Sequence, residues 1–133
     1  MTRINLIDPR ELTDQHLIAE YRELPRIFWA VRGKLIENKE IKIWNKYKMW
    51  TWHVIFFYDK LWFLEKRYYL IVNECKKRWF NIKFDTLDLS DIPSNFKNNY
   101  TPTKEDIEIS SWRIQEKLDQ KKWFYKMNWI IIN

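Results

Sequence analysis

Glycine is almost missing from this chain. Its 133 residues include one, Gly33, where average usage of about 7% would give about nine. Cysteine is as scarce, and Cys75 alone permits neither an internal disulfide nor a cysteine-rich metal site. With only two histidines, His16 and His53, a zinc site is not expected either, so the reading is metal-free and cofactor-free. No apolar run approaches the roughly 18 residues of a membrane span, and the start lacks the apolar stretch of a signal peptide. A cytoplasmic protein with no membrane attachment follows as the expectation. The length suits one domain, residues 1–133, around one core.

What is present is charge and aromatic surface. Lys and Arg number 24 against 18 Asp and Glu, for a net charge of +6 and a pI of about 9.4. That excess suggests a polyanionic partner, with DNA the commonest candidate; RNA or a membrane surface would rest on charge alone. Tryptophan is in excess, at nine, and its placement is odd. Trp79 follows Lys76-Lys77-Arg78, where a helix ending in basic residues usually has its glycine. Trp129 follows Asn128, as a glycine would in a turn.

Periodicity predicts an all-α fold: a single compact domain of three main helices with long loops, and the N-terminal segment packed against the helices. Residues 2–10 read as extended, with Pro9 preventing an early helix. The first helix starts with Thr13 or Asp14 as N-cap and runs to about Asn38, with Leu17, Tyr21, Leu24, Phe28, Val31 and Leu35 at helical spacing. Pro25 kinks it beside Glu23. Residues 39–57 read as an irregular loop, although His53 to Tyr58 has a strand's composition. The second helix covers Tyr58 or Asp59 to about Arg78. Leu61, Leu64, Tyr68, Ile71, Val72 and Cys75 form its apolar face, and Lys66, Arg67, Lys76 and Lys77 decorate the rest. Short turns fill 80–103. The third helix starts at Thr103 to Asp106 and ends near Lys121, burying Ile107, Ile114 and Leu118. The tail from Lys122 to Lys126 is basic and aromatic, and Ile130 to Ile132 either packs back or frays.

Two features near the start suit chemistry. Residue 2 is small, so removal of the initiator methionine is expected, leaving Thr2 with a free α-amine. Such an amine has a pKa of about 7.7–8.0, against about 10.4 for lysine, and is nucleophilic at neutral pH without help from burial. Glu23 lies between Arg22 and Arg26. Taken alone, that pattern is more often a surface ion pair than a catalytic acid. Arg22 and Arg26 share one helix face, as do Arg113 and Lys117.

The runs Thr2-Arg3-Ile4-Asn5-Leu6, Asp14-Gln15-His16-Leu17 and Ala19-Glu20-Tyr21-Arg22-Glu23-Leu24-Pro25-Arg26 strongly resemble the phage-type pyrimidine-dimer DNA glycosylase/AP lyases. These are historically called endonuclease V of the pyrimidine-dimer type. The likeness continues at His53-Val54-Ile55-Phe56-Phe57-Tyr58-Asp59-Lys60, Phe80-Asn81-Ile82-Lys83, Asp88 to Pro93, Tyr100-Thr101-Pro102, and Arg113 with Glu116-Lys117. It implies a DNA repair enzyme whose Thr2 amine attacks C1′ at a cyclobutane pyrimidine dimer, forms a Schiff base and cuts the strand by β-elimination. Glu23 matches the catalytic acid. Arg3, Arg22, Arg26, Arg113 and Lys117 match positions near the DNA. Phe124-Tyr125-Lys126 resembles the family's aromatic-basic C-terminal segment, though Met127 and Asn128 depart from it; for Tyr125 and Lys126, packing onto the core is the alternative to DNA contact. His16 and His53 match family positions. His16, two turns before Glu23, is within reach of the site, yet each is more often a structural histidine. His53 to Lys60 is implied to lead into the second helix.

The implied partner is double-stranded DNA carrying ultraviolet photoproducts or abasic sites, met by a monomer alongside the nucleoid or phage DNA. Rival readings are the same scaffold acting on another lesion or on abasic sites only, and a catalytically silent DNA-binding protein. The family has glycine at positions matching Trp29, Trp50, Trp52, Trp79 and Trp123. That predicts a source that reads UGA as glycine, as some bacterial lineages do; a genuinely tryptophan-rich homologue is the alternative.

Overall fold

The computed structural model describes residues 4–47 and 53–132. Thr2, Arg3, Trp50 and Trp52 fall outside them, so the expectations placed on those four concern positions the structure does not describe.

The first predicted helix is two helical pieces, α1 (Asp14–Glu23) and α2 (Pro25–Ile36), joined at Leu24. The Thr13 hydroxyl caps α1 by accepting the His16 amide. Leu24 keeps helical dihedrals and donates to Glu20 O at 2.8 Å, and Pro25 occupies the first position of α2, where its missing N–H costs least. The helix is interrupted there because Pro25 has no N–H to give to Tyr21 O and its ring crowds that carbonyl. A long α3 (Leu61–Lys77) and α4 (Lys104–Gln120), the latter capped by Thr103, complete the set. Single 3-10 turns form at Pro9–Glu11, His53–Phe57 and Ser94–Phe96. Two strands, β1 (Lys126–Met127) and β2 (Ile130–Ile131), make an antiparallel hairpin, the one addition to an otherwise all-α architecture among the described residues.

The core forms where the apolar faces meet. Leu17, Leu24, Phe28 and Val31 from α1 and α2 pack with Leu61, Leu64, Tyr68, Ile71, Val72 and Cys75 from α3. The strand-like run from His53 is a 3-10 segment. It buries Phe56 and Phe57 in an aromatic cluster with Tyr47 and Tyr100, so its β-rich composition serves packing and no ladder. On α4, Ile114 and Leu118 pack inward as expected. Ile107 does not: it is 39% exposed, because the first turn of α4 lies beyond the buried part of the helix.

Arg67 also departs from its expected place on the solvated face. It is buried, its guanidinium paired with both carboxylate oxygens of Glu20 and with Ile7 O. Its position explains this: 67 lies three residues after Leu64 and four before Ile71, on the inward face. The tail is tied back through its turn, while Ile130 and Ile131 stay exposed on the hairpin. Asp14 accepts the Asn128 and Trp129 amides at 3.0 and 2.7 Å and pairs with buried Arg78 at 3.0 Å, tying the hairpin to α1 and to the end of α3.

Five described residues other than glycine have positive φ: Asn38, Trp79, Trp123, Asn128 and Trp129. Trp79 closes α3. Its amide bonds Lys76 O at 3.1 Å and the next amide, of Phe80, bonds Cys75 O at 3.0 Å, the paired reversal in which glycine is the usual residue. The hairpin turn Asn128-Trp129 has φ of 49° and 72°, the two-residue pattern that Asn-Gly satisfies most easily.

Candidate active site

A cavity of about 340 Å³ opens between α1, α4 and the tail. Two stripes at helical spacing face into it: His16, Glu20 and Glu23 from α1, and Arg113, Lys117 and Gln120 from α4. Ala19 and Ile114 lie between the stripes, and Asn5 of the N-terminal segment, with Lys121 and Tyr125 from the tail, completes the lining.

Of the two carboxylates, Glu20 is fully engaged. Its Oε1 accepts from Asn5 N at 3.2 Å, Asn5 Nδ2 at 2.9 Å and Arg67 Nη2 at 3.1 Å, while Oε2 holds Arg67 Nε. Glu23 is different. Its side chain is 23% exposed and, among the described residues, its nearest cation, Arg26 Nη1, stands off at 3.9 Å. A contact that long adds little stability, and it leaves the carboxylate facing a space bordered by Arg113 and Lys117. The cations suit a phosphate-bearing ligand; the carboxylate suits charge or proton handling.

His16 stacks on Tyr125, with ring centroids 4.7 Å apart, and its Nδ1 lies 2.7 Å from the Thr13 hydroxyl. Burial, then the nearby Lys117 and Arg113 charges, push its pKa down from 6.5 to about 4. At neutral pH it is an uncharged wall of the cavity and no proton donor. The folded form therefore binds the proton less readily than the unfolded chain. Stability is retained above about pH 6.5, falls as pH drops toward 4, and levels off below. His16→Gln should narrow the gap between melting temperatures taken at about pH 7 and about pH 4.5; an unchanged gap would show that His16 is not a source of the acid sensitivity.

The expected site residues separate into groups. Glu23, Arg113, Lys117, Tyr125 and His16 converge on one cavity. Arg26 is exposed beside Glu23. Arg22 borders a second cavity of about 710 Å³ on the other side of α1, with Tyr21, Pro25 and Trp29. Of its aspartates, Asp91 pairs with Arg32 at 2.9 Å and Asp88 accepts the Ser90 amide at 3.0 Å. Lys126 is exposed on β1, its amide donating to Gln15 Oε1. Tyr125 is buried against His16, the packing held as the alternative for it, and it also lines the cavity. Sequence reasoning passed over Asn5, Glu20, Gln120 and Lys121. Three of them were findable: Glu20 lies four residues after His16, and Gln120 and Lys121 lie three and four after Lys117. Among the described residues there is no cluster of three or more His, Cys, Asp or Glu able to hold a metal ion, and no helix long and apolar enough to cross a membrane.

One comparison with known proteins bears on this geometry. A family model described as pyrimidine dimer DNA glycosylase matches residues 1–88. That match runs through α3 and includes Glu23, His53 and Arg67, and it stops short of α4.

Proposed function

Because the chain belongs to the pyrimidine dimer DNA glycosylase family, we propose that it is a base-excision DNA repair enzyme with both glycosylase and AP lyase activity, using the Thr2 α-amine as nucleophile. Methionine removal exposes the amine. It attacks C1′ of the 5′ nucleotide of a cyclobutane pyrimidine dimer in duplex DNA. The C1′–N1 bond breaks and its electron pair leaves with the pyrimidine. The sugar ring then opens as an imine forms between C1′ and the Thr2 nitrogen, with O4′ taking a proton. Loss of a C2′ proton expels the 3′ phosphate and cuts the strand. An abasic site enters the same sequence at imine formation.

The observation that carries this reading is the shared cavity of Asn5 and Glu23. Two residues of extended chain reach at most about 7 Å, so an amine at residue 2 stays within that distance of the Ile4 amide nitrogen. Glu23 stabilises positive charge developing on the sugar and the imine and assists proton transfer. Arg3, Arg22, Arg26, Arg113 and Lys117 hold backbone phosphates, with Tyr125 and Lys126 flanking the opened lesion. The protein acts as a monomer in the cytoplasm, where phage or nucleoid DNA is met. Reaching C1′ requires nucleotide extrusion, and a dimer lowers that cost because its stacking and pairing are already weakened.

Borohydride trapping on irradiated duplex DNA tests the proposal. The mature protein should form a covalent adduct on the peptide that begins at Thr2, and one extra residue ahead of Thr2 should abolish it. An adduct on a lysine, or none at the dimer beside efficient cutting of an abasic duplex, would overturn the dimer reading or the choice of nucleophile.

A further inference from the structure

Residues 4–7 lie outside helix and strand, with a bend at Ile7, yet their peptide groups are held. His53 Nε2 accepts the Ile4 amide at 3.0 Å, and the Tyr47 hydroxyl donates to Ile4 O at 3.0 Å. Glu20 takes the Asn5 amide, Ser110 Oγ takes the Leu6 amide at 3.1 Å, and Arg67 donates to Ile7 O at 3.0 Å. Since the single Tyr47 proton goes to Ile4 O, the Ser110 hydroxyl must donate to the Tyr47 oxygen. The result is a relay from the Leu6 amide through Ser110 and Tyr47 back to the Ile4 carbonyl. All five side chains are buried. Apolar anchoring by Ile4 and Leu6, both in the core, would tether this segment without them. Burying so many polar groups adds little net stability, but it fixes backbone position, which apolar contact alone does not.

We propose that His53 is a positioning residue for the N-terminal amine: with Tyr47 it grips both peptide groups of Ile4 and sets the point from which the reactive end of the chain projects. This rests on Thr2 being the nucleophile. Accepting an amide at Nε2 requires the uncharged tautomer with its proton on Nδ1, so His53 neither attacks nor shuttles a proton here. Its contribution is geometric. Misplacement of a reacting group by about 1 Å can cost on the order of 100-fold in rate.

The test compares His53→Phe, which keeps a ring and loses the acceptor, with His53→Gln, which keeps an acceptor. His53→Phe should slow single-turnover adduct formation at saturating dimer DNA on the order of 100-fold and leave the dissociation constant for the same duplex nearly unchanged. His53→Gln should recover most of the rate. Tyr47→Phe, losing the other grip on Ile4, should show the same split between rate and affinity, and it decides the matter if His53→Phe does not fold. Equal rates in all three variants, or a loss of affinity matching the loss of rate, would overturn the proposal. Wild-type trapping at Thr2, run alongside, separates this failure from failure of the nucleophile itself.

A different observation carries a second inference, that the source cell makes this chain with glycine at 79, 123 and 129. Among the described residues, the left-handed backbone positions are held by two asparagines and three tryptophans, and by no glycine. A left-handed conformation costs an L-residue with a Cβ roughly 1–2 kcal/mol. Trp79, at 88% exposure, gains no packing in return. The single glycine, Gly33, lies inside α2 at negative φ, where nothing requires it. UGA codons at the three positions, and glycine in the corresponding peptides of the protein isolated from its source, are the expected result. UGG codons or tryptophan-bearing peptides there would overturn it.

Discussion

Exchanging Glu23 for glutamine should stop base removal at a pyrimidine dimer while leaving the protein folded and bound to DNA. The substitution keeps the side chain's shape and removes its charge. Its ion pair with Arg26 spans 3.9 Å and is partly solvated, so the melting temperature should barely move; pairs of this kind contribute about 0–1 kcal/mol. The lost charge matters in the reaction. Cleavage of the glycosidic bond puts positive charge on the sugar, and the cavity then offers Arg113 and Lys117 with no available carboxylate, since Glu20 is committed to Asn5 and Arg67. A drop of about 100- to 10,000-fold in single-turnover dimer cleavage is the expected size for removing a positioned acid-base group. The loss should be smaller on a preformed abasic site, where the aldehyde is already electrophilic and no base has to leave. Dimer cleavage within a few-fold of wild type would remove Glu23 from the mechanism. Tighter binding of DNA by Glu23→Gln would fit the same picture, because one negative charge leaves a cationic cavity.

Changing tryptophan to glycine at 79 and 123 should stabilise the protein expressed with tryptophan, an unusual direction for deleting so large a side chain. Both rings are exposed and both backbones are left-handed, at φ of 63° and 68°. Relief of about 1–2 kcal/mol each is expected, less about 0.4–1 kcal/mol for the freer unfolded chain. Trp129→Gly should gain less, because the indole donates to Arg78 O and its ring rests on Phe80, 4.8 Å between centroids. Trp29→Gly is the internal control. It lies within α2, where glycine costs a helix up to about 1 kcal/mol, so this substitution should destabilise. Urea unfolding of the four single variants reads out the signs. Destabilisation by Trp79→Gly would contradict the strain argument at its clearest position.

The helices were legible because each carries a long periodic apolar face, and Thr13, Thr103 and Pro25 mark starts and an interruption in local chemistry. Where residue type and spacing disagreed, spacing prevailed: Arg67 looked like solvated surface and sits at an inward position. The strand-like look of His53–Phe57 came from aromatic and β-branched residues that serve a packed cluster. Glu23, Arg113 and Lys117 were legible through the family likeness, and the cavity brings them together. The bonds from Asn5 to Glu20 and from Leu6 to Ser110 were not. They join residues 15 and 104 positions apart, and pairing between distant segments leaves no periodic trace in either one.

That last separation has a consequence for timing. Residues 4–7 are made before their partners Tyr47, His53, Arg67 and Ser110, which follow over most of the sequence. At about 5–20 residues per second, the end of the chain waits several seconds for Ser110 to emerge. Until then the Leu6 amide lacks its Ser110 acceptor, and the relay through Tyr47 to the Ile4 carbonyl is open. The full set of bonds that fixes residues 4–7 is thus complete only after α4 has been made.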